Sequence, residues 1–374
     1  MPVVDTQNVY RIGGRIITRQ EALETIQQQL LLPQIAKLYA IEPDDLQLYP
    51  DYDGCQNLTY FYKRNDIHHV LRVSFRNDRS PDQILAELDF IRYLHENGVR
   101  VSPPVESLEG RYMEIISSDF YQFAVVSFER APGHRLPDKG YKYRDGASID
   151  EYYVNWGRLL GQMHRLSQDY SPQSPTRRRH QLVDVLSDYI PSYLPPSYSK
   201  VRERFQSLLA EVSKLPHDKD VYGLIHADFN DGNFCVDYTN GNITVFDFDD
   251  SAYCWFMFDL ADAWRSGRGW IMAEADPGKR RDFMNKYFDT LLSGYTHEHT
   301  LPETWLKRLP MFLKLIEMDG LLGEFRYMSI NGCDEENDGA MAYQQKCIED
   351  DIPFFGFFDS IYSPRHPFEL CHPV

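Results

Sequence analysis

A predicted hairpin over residues 234–246 constrains the fold more than any other feature. Two apolar runs, residues 234–238 and 243–246, are joined by TNGN at 239–242. Asn-Gly between apolar runs is the strongest short-range signal for a β-hairpin. The polar loop HADFNDGN, residues 226–233, leads into this hairpin, and DFDD, residues 247–250, leaves it. Because the two ends of a hairpin lie side by side, we expect these two acidic loops to meet.

The predicted meeting of the loops brings together Asp228, Asn233 and Asp247, with Asp249 close by. Carboxylate and amide oxygens suit a hard cation such as Mg²⁺, which takes few carboxylates and completes its shell with phosphate oxygens and water. A carboxylate outside the metal shell is able to accept a proton from a hydroxyl group. The pattern therefore predicts phosphoryl transfer from ATP. An ordinary polar turn is the alternative for the eight loop residues in isolation.

Composition narrows the classes of function. The 374 residues are 43% hydrophobic, 14% aromatic and 25% charged, which is typical of a folded chain forming one two-lobed unit or two domains. The net charge of −17 argues against nucleic acid and anionic membranes as partners. No signal peptide and no apolar stretch of ~18 residues is visible, and the cysteines lack a metal-ligand spacing. These features predict a reduced, cytoplasmic protein.

Strand patterns are frequent in the first third of the chain. Four strands are predicted, at 57–63, 69–74, 109–116 and 120–128, the first two joined by a turn at 64–66. One amphipathic helix is predicted over 81–97. An earlier helix opens at a capping box beginning with Thr18, and Pro33 is expected to kink or break it.

Helical patterns dominate after the break ERAPGH at 129–134. Helices are predicted from Ser148 to Ser167 and over 201–215, 260–274, 282–295 and 301–328. The segment 171–199 is rich in Ser, Pro and Tyr, and its run Arg177-Arg178-Arg179 is interpreted as a solvated loop or helix end. The order of elements predicts an N-lobe over 1–128, a hinge over 129–135 and a helical C-lobe over 136–374.

The stretch LIHADFNDGNFCVDYTNGNITVFDFDDSAYCWFMFDLADAW resembles the signature of the aminoglycoside phosphotransferase and choline kinase-like family. That family typically has HGDxxxxN, then (I/V)DF(D/E), then (Y/F)DLA. The resemblance implies an α+β, two-lobed, protein-kinase-like fold, with a small strand-rich N-lobe and a larger helical C-lobe. It also implies ATP and Mg²⁺ as cofactors. Alanine stands at position 227, where the family usually has glycine.

The resemblance assigns a role to each matching residue. Asp228 matches the catalytic base, and Asn233 and Asp247 match the Mg²⁺ ligands. Asp249 is either a metal neighbour or a turn residue. Six residues are expected to bind the nucleotide or to orient residues that do so, namely Gly54, Asn57, Arg72, Glu87, Ser127 and Glu129. Arg72 stands where the phosphate-binding cation is expected, with Glu87 orienting it, and Arg and Lys are not equivalent there because Arg is a planar fork.

Several nearby residues are given structural interpretations. We expect His226 to act through hydrogen bonds and His164 to belong to the core. Asp259 is interpreted as a helix N-cap or loop anchor. The aromatic residues of the same stretch are expected to pack in the core rather than form a cation cage, namely Tyr253, Trp255, Phe256 and Phe258.

Three functions remain open from the sequence: a kinase of a small hydroxylated molecule, a Ser/Thr protein kinase, and a nucleotide-binding pseudokinase. The first is the prediction, because the base and metal ligands are intact. The acidic runs at 334–338 and 349–351 predict negative potential near the cleft. We therefore expect a neutral or cationic acceptor, with an amino alcohol or amino sugar as the leading type.

Overall fold

The computed structural model describes residues 17–49, 57–75, 79–119, 121–331 and 339–359. Within these residues, an antiparallel sheet dominates the N-terminal part. Its strands are β1 (Gln47–Leu48), β2 (Asn57–Arg64), β3 (Ile67–Ser74), β4 (Pro104–Val105), β5 (Glu114–Ser117) and β6 (Gln122–Glu129). They pair in the order β1-β2-β3-β6-β4, and β5 also pairs with β6.

The predicted hairpin of β2 and β3 is confirmed, with Asn57 opposite Ser74 and Arg64 opposite Ile67. The two turn residues, Asn65 and Asp66, have φ angles of 51° and 64°. A two-residue hairpin turn with both φ angles positive matches the twist of the flanking strands, and Asn and Asp tolerate it.

Helices cover this sheet. They are α1 (Arg19–Gln28), α2 (Leu31–Leu38) and α3 (Pro81–Glu96). The Thr18 capping box is present, since its hydroxyl accepts from the Glu21 N–H at 3.1 Å. The predicted break at Pro33 is wrong: the chain breaks at Gln29 and Leu30, and Pro33 is the third residue of α2. Proline is tolerated there because a first-turn N–H has no intrahelical partner to lose.

The C-terminal part is mainly helical. Its helices are α4 (Ile149–Ser167), α5 (Leu182–Tyr193), α6 (Ser199–Val212), α7 (Met257–Gly267), α8 (Pro277–Tyr295), α9 (Glu303–Leu306), α10 (Leu309–Asn331) and α11 (Gly339–Glu349). Four short strands lie between α6 and α7, namely β7 (Tyr222–Ile225), β8 (Phe234–Val236), β9 (Ile243–Val245) and β10 (Ala252–Trp255). The predicted α+β class is therefore confirmed.

Three features of this half depart from the sequence prediction. Helix α5 lies inside the Ser-, Pro- and Tyr-rich segment 171–199, for which no helix was predicted. Strands β7 and β10 form an antiparallel pair that local patterns did not indicate. The predicted helix over 301–328 is divided into α9 and α10. A pair such as β7 with β10 depends on distant residues, so no short window of sequence contains its signal.

The hydrophobic core is continuous between the sheet and the helical part. Ile84 and Leu88 of α3 belong to the same buried cluster as Trp156 and Leu160 of α4. A second cluster lies between the sheet and helices α1 and α2, and it includes Ile35. Helix α3 thus packs with the C-terminal core although it follows the N-terminal hairpin. The boundaries at residues 128 and 135 stay predictions.

Among the described residues, no helix combines the length and apolar character needed to cross a bilayer.

Candidate active site

The β8–β9 hairpin brings the two acidic loops together as predicted. Asn240 and Gly241 form its turn, with Gly241 at a φ of 75°. At its open end, the N–H of Phe246 donates to the carbonyl of Asn233 at 2.9 Å. The loops 226–233 and 247–250 therefore meet at the open end of the hairpin.

Asp259, in the first turn of α7, anchors the loop 226–233. Its carboxylate accepts from the N–H groups of His226 at 3.1 Å and Ala227 at 2.8 Å. It also lies 3.2 Å from Nε2 of the buried His164. The loop-anchor interpretation of Asp259 is confirmed, because its two oxygens are occupied by backbone and imidazole groups and it is fully buried.

Both histidines of this region have structural contacts, as predicted. His226 uses Nε2 to reach the Phe246 carbonyl at 3.0 Å, while its Nδ1 accepts from the Asp228 N–H at 3.3 Å. His164 stacks on Phe256 with ring centroids 4.4 Å apart. Burial lowers the pKa of both rings, so both are neutral in the folded protein at neutral pH.

Ala227 has a φ of 67°, in the left-handed region. Only glycine adopts this region without a steric cost from Cβ. The alanine noted in the sequence is therefore a source of local strain next to Asp228. Backbone strain of this kind persists where surrounding contacts fix the conformation, and here the two N–H groups held by Asp259 do so.

Two amide groups orient the carboxylate of Asp228. Asn230 donates to its Oδ1 at 2.7 Å, and Asn233 donates to its Oδ2 at 2.7 Å. Burial, followed by the charges of Asp262 and Asp250, raises the pKa of Asp228 to about 7. Each oxygen keeps a free lone pair beyond its amide contact, so this carboxylate is able to accept a proton.

Asp247, Asn233 and Asp249 supply oxygen atoms close to Asp228. Burial and then the charge of Asp249 raise the pKa of Asp247 well above its usual range. Asn233 turns its amide nitrogen toward Asp228, which leaves its amide oxygen on the opposite side. Adjacent buried carboxylates repel each other, and a divalent cation held between hard oxygen ligands would relieve that repulsion. The donor set therefore fits Mg²⁺.

The described residues contain no cluster of three or more His, Cys, Asp or Glu side chains arranged for metal binding. A Mg²⁺ ion held by Asp247 and Asn233 would take phosphate oxygens and water for the rest of its shell.

Arg72 and Glu87 form a buried, two-pronged ion pair. Both guanidinium Nη atoms donate to the two carboxylate oxygens at 2.8 Å. Arg72 is 7% exposed and Glu87 is 1% exposed. Burial opposes the charge of Arg72, but Glu87 and the nearby Asp249 and Asp247 outweigh it and raise the pKa of Arg72. Arg72 therefore remains a cation facing the acidic loop.

The other predicted nucleotide residues have different surroundings. Asn57 donates to Asp249 Oδ2 at 3.0 Å and accepts from Ser74 Oγ at 2.6 Å, so it links the N-terminal sheet to the acidic loop. The hydroxyl of Ser127 is buried and bonded to Tyr62 at 2.7 Å, and its backbone lies within the sheet, opposite Leu71 of β3 and Val105 of β4. Glu129 is exposed at the end of β6. Gly54 lies outside the described residues.

Three residues beside Asp228 were not predicted: Asp262, Arg265 and Asp319, which we call the carboxylate cluster. Oδ1 of Asp262 accepts from Arg265, with Nη2 at 2.7 Å. Its Oδ2 is buried and has no hydrogen-bond partner among the described residues. Burial raises the pKa of Asp319 to about 7, with Asp250 next in effect. Asp262 could have been found, since it is three residues beyond Asp259 and shares its helix face.

Arg179 corrects the interpretation of the basic run as a solvated segment. It is 3% exposed, whereas the side chain of Arg177 is 38% exposed. A run of three arginines has no periodicity that separates the buried one from its neighbours, so sequence alone could not reveal the difference. The expectation for the aromatic residues is confirmed, because Tyr253, Trp255, Phe256 and Phe258 are all buried.

The sequence profile described as "Phosphotransferase enzyme family" matches residues 50–295. The chain belongs to this family. Amicoumacin kinase of Bacillus subtilis strain 168 is 27% identical over 333 residues, which cover 88% of this chain and 94% of that protein. This membership confirms the predicted enzyme class, a kinase acting on small-molecule hydroxyl groups, and it does not support the protein-kinase alternative.

Solved structures of related proteins confirm the predicted kinase-like fold. An amicoumacin kinase in complex with AMP-PNP, Ca²⁺ and Ami has a TM-score of 0.77 and 27% identity, covering 90% of this chain and 97% of that one. A microcompartment-associated aminopropanol kinase has a TM-score of 0.63 and 21% identity, covering 88% and 99%. AMP-PNP is an analogue of ATP, and its presence with a divalent cation in the first of these structures supports the predicted cofactors.

Proposed function

We propose that this kinase transfers the γ-phosphoryl group of ATP to a hydroxyl group of an amine-bearing small molecule. The observation that carries the proposal is the carboxylate cluster beside Asp228, in which several acids surround one arginine and the buried Oδ2 of Asp262 has no hydrogen-bond partner within the described part of the chain. A buried, unpaired carboxylate oxygen is costly, and an ammonium group is the natural ligand to satisfy it.

Asp228 acts as the base in this proposal. The hydroxyl oxygen of the acceptor forms a bond to the γ-phosphorus, the bond to the β-phosphate oxygen breaks, and the hydroxyl proton passes to the Asp228 carboxylate. The amides of Asn230 and Asn233 hold that carboxylate in place. Asp247 and Asn233, with Asp249 as neighbour, would hold Mg²⁺, which neutralises phosphate charge when bound.

Arg72 would bind the nucleotide phosphates from the opposite side of the acidic loop. Its guanidinium is fixed by Glu87 through two bonds of 2.8 Å, so it is oriented before ligand arrives. Each Nη carries a second hydrogen that is able to reach a phosphate oxygen. Glu129, exposed next to the hinge proposed at 129–135, would contact the base of the nucleotide, and Ser127 would support it from within the sheet. Asn57, which is bonded to Asp249, would lie near the phosphates.

The source of the negative potential differs from the sequence expectation. Asp350 lies 3.7 Å from Lys200 and is also paired with Lys346, and Asp351 lies 2.6 Å from Lys314. Lysines therefore balance these acids, and residues 334–338 lie outside the described part. The carboxylate cluster, rather than these acidic runs, supports a cationic acceptor, because several carboxylates surround its one arginine.

The test is a matched panel of acceptors, each amine-bearing alcohol or sugar paired with its analogue lacking the amine. Release of ADP and the mass of the product are measured with Mg²⁺ and ATP. We expect amine-bearing acceptors to be preferred, with KM rising as salt increases. Preference for an anionic acceptor would contradict the acceptor class, and Mg²⁺-dependent nucleotide binding without turnover of any acceptor would favour the pseudokinase.

Asp262→Asn sharpens this test. We expect KM for amine-bearing acceptors to rise by roughly 10-fold or more, the scale of a lost charged hydrogen bond, with KM for the analogues unchanged. Asp169→Asn is the matched control, because that side chain is 76% exposed and pairs at the surface with Lys219. Equal effects of Asp262→Asn on both members of each acceptor pair would count against recognition of the amine.

A further inference from the structure

Residues 178–180, which we call the strap, cross between α3 and the segment that follows the acidic loop. On one side, the Gln83 side chain of α3 donates to the Arg178 carbonyl at 2.7 Å. On the other side, the N–H of Tyr253 donates to the His180 carbonyl at 2.8 Å. The strap therefore contacts both an element beside the N-terminal sheet and the strand that leaves the acidic loop.

Arg179 makes the strongest of these links. Its Nη1 donates to the Gln83 carbonyl at 3.1 Å, its Nη2 to the Asp249 carbonyl at 2.5 Å and its Nε to the Ser251 carbonyl at 2.6 Å. All three acceptors are backbone carbonyls, and they belong to two separate segments. A planar guanidinium with donors in a fixed fork is suited to set the spacing between such segments, whereas a lysine offers a single point of attachment.

The groups bonded to Arg179 are neutral carbonyls, so its charge is balanced by carboxylates that lie near it without bonding to it. Burial and then the charge of Arg79 lower its pKa, while Glu87, Asp249 and Asp250 raise it, and the net pKa is about 10. Arg179 therefore stays protonated at neutral pH. Its three carbonyl contacts depend on that charge, because hydrogen bonds from a charged donor are stronger than neutral ones.

Both segments held by Arg179 carry residues of the proposed active site. Gln83 is one helical turn before Glu87, so the two lie on the same side of α3. Asp249 is two residues after Asp247 on the chain. The guanidinium of Arg179 is thus the shared support of the helix that orients Arg72 and of the loop that would hold the cation.

We propose that Arg179 is a positioning residue that fixes the spacing between the phosphate-binding pair, Arg72 with Glu87, and the metal-binding Asp247. This inference rests on the proposed function of that site. Misplacement by about 1 Å is able to cost up to ~10²-fold in rate when groups must act together on one ligand. Arg179 itself touches neither nucleotide nor acceptor in this scheme.

The experiment compares Arg179→Gln with Arg177→Gln, a control two residues away that has only a loose pair with Asp89 at 3.9 Å. Affinity for a non-hydrolysable ATP analogue is measured by calorimetry over a range of Mg²⁺ concentrations. We expect Arg179→Gln to raise the Mg²⁺ concentration for half-maximal effect by about 10-fold, since a misplaced ligand binds the ion less well. Arg177→Gln should match the parent.

A second measurement separates positioning from general loss of structure. Thermal unfolding is recorded for each variant, and Arg179→Lys is included because one ammonium is able to keep one of the three contacts. We expect Arg179→Lys to fold and to give an intermediate shift in Mg²⁺ dependence. If Arg179→Lys, or a folded Arg179→Gln, has the Mg²⁺ dependence of the parent, the proposal is wrong.

The coupling to α3 is tested by combining Arg179→Lys with Glu87→Gln. If Arg179 acts through α3, the effects of the two changes on nucleotide affinity are less than additive. Simple additivity would overturn the α3 part of the proposal. Because these readouts need no acceptor, they are independent of turnover, so failure to find a substrate would count against the proposed function without affecting this result.

Discussion

The two sides of the acidic loop differ in how their charges are balanced. On the cofactor side, Arg72 and Glu87 pair one to one through two short bonds, and Asn57 joins Ser74 to Asp249. On the acceptor side, several acids surround the one arginine of the carboxylate cluster. Among the described residues, each side also has a buried atom without a hydrogen-bond partner, Nε of Arg72 and Oδ2 of Asp262.

This difference suggests how the protein divides stability and recognition. A buried ion pair whose charges match one to one is rigid and needs little further ordering when its ligand binds. A buried cluster with an excess of acids destabilises the free protein, and a cationic ligand relieves that repulsion. We therefore expect changes on the cofactor side to harm both folding and nucleotide binding, and changes on the acceptor side to affect acceptor binding with little harm to folding.

Asp228→Asn, between the two sides, is expected to have the largest effect. The amide keeps the size of the side chain but no longer accepts a proton, so kcat should fall by ~10²-fold or more while nucleotide affinity stays unchanged. Steady-state kinetics and calorimetry provide the two measurements. Turnover close to that of the parent would show that Asp228 is not the catalytic base.

Asp247→Ala should abolish the tightening of nucleotide binding by Mg²⁺, because the cation loses its main carboxylate. Asn233→Ala should weaken the same effect by a smaller factor, since a neutral amide contributes less field. Calorimetric titration of ATP analogue with and without Mg²⁺ measures both. The assignment of the metal site fails if each variant binds the Mg²⁺ complex as the parent does.

Arg72→Ala tests the Arg72–Glu87 ion pair of the cofactor side directly. It leaves Glu87 buried at 1% exposure without its partner, which is expected to destabilise the protein by about 3–5 kcal/mol and to raise KM for ATP strongly. Arg72→Lys should raise KM less, because charge is retained and only the fork geometry is lost. Urea unfolding and kinetics are compared for the two variants, and an unchanged KM in Arg72→Ala would place the phosphate-binding cation elsewhere.

Glu317 of α10 is buried, with Arg268 3.9 Å away, and Glu317→Gln tests a buried acid through the pH dependence of stability. Burial raises the pKa of Glu317 from 4.5 to about 7, so the folded protein holds a proton there that the unfolded chain releases. The stability that this group contributes therefore falls by about 3 kcal/mol as the pH rises from 4.5 to 7. Above pH 7 it stays at the lower value.

The neutral glutamine lacks this loss, so Glu317→Gln should become more stable relative to the parent between pH 5 and pH 8. Urea unfolding at both pH values measures the difference. Glu303→Gln is the control, since that side chain is 80% exposed. A constant difference between Glu317→Gln and the parent at the two pH values would contradict the predicted titration.

Ala227→Gly is expected to have the smallest effect. Glycine adopts the φ of 67° without the Cβ clash, and it should stabilise the protein by about 1 kcal/mol. Ala36→Gly, inside α2, is the matched opposite and should destabilise by about 1 kcal/mol or more. Thermal unfolding of both distinguishes relief of strain from a general effect of glycine, and destabilisation by Ala227→Gly would rule out the strain.

The sequence predicted the site best where the chemistry is local. The hairpin turn at Asn240-Gly241 was enough to place Asn233 beside Phe246, and the contact between them confirms it. Residues whose role depends on packing were missed. Arg179 was interpreted as solvated, and Asp262 was not considered, because the burial of each is determined by segments that lie far away in the sequence.

Local sequence patterns were enough to predict the pairing of the two acidic loops, the strand-rich and helix-rich order and the family. These follow from turn chemistry, periodicity and motif spacing, which act over a few residues. The three-dimensional structure was needed to show that charges pair one to one on the cofactor side and that acids are in excess on the acceptor side. Whether a charge is buried or paired depends on what other segments place around it, and a guanidinium such as that of Arg179 acquires its partners only when distant backbone carbonyls come together.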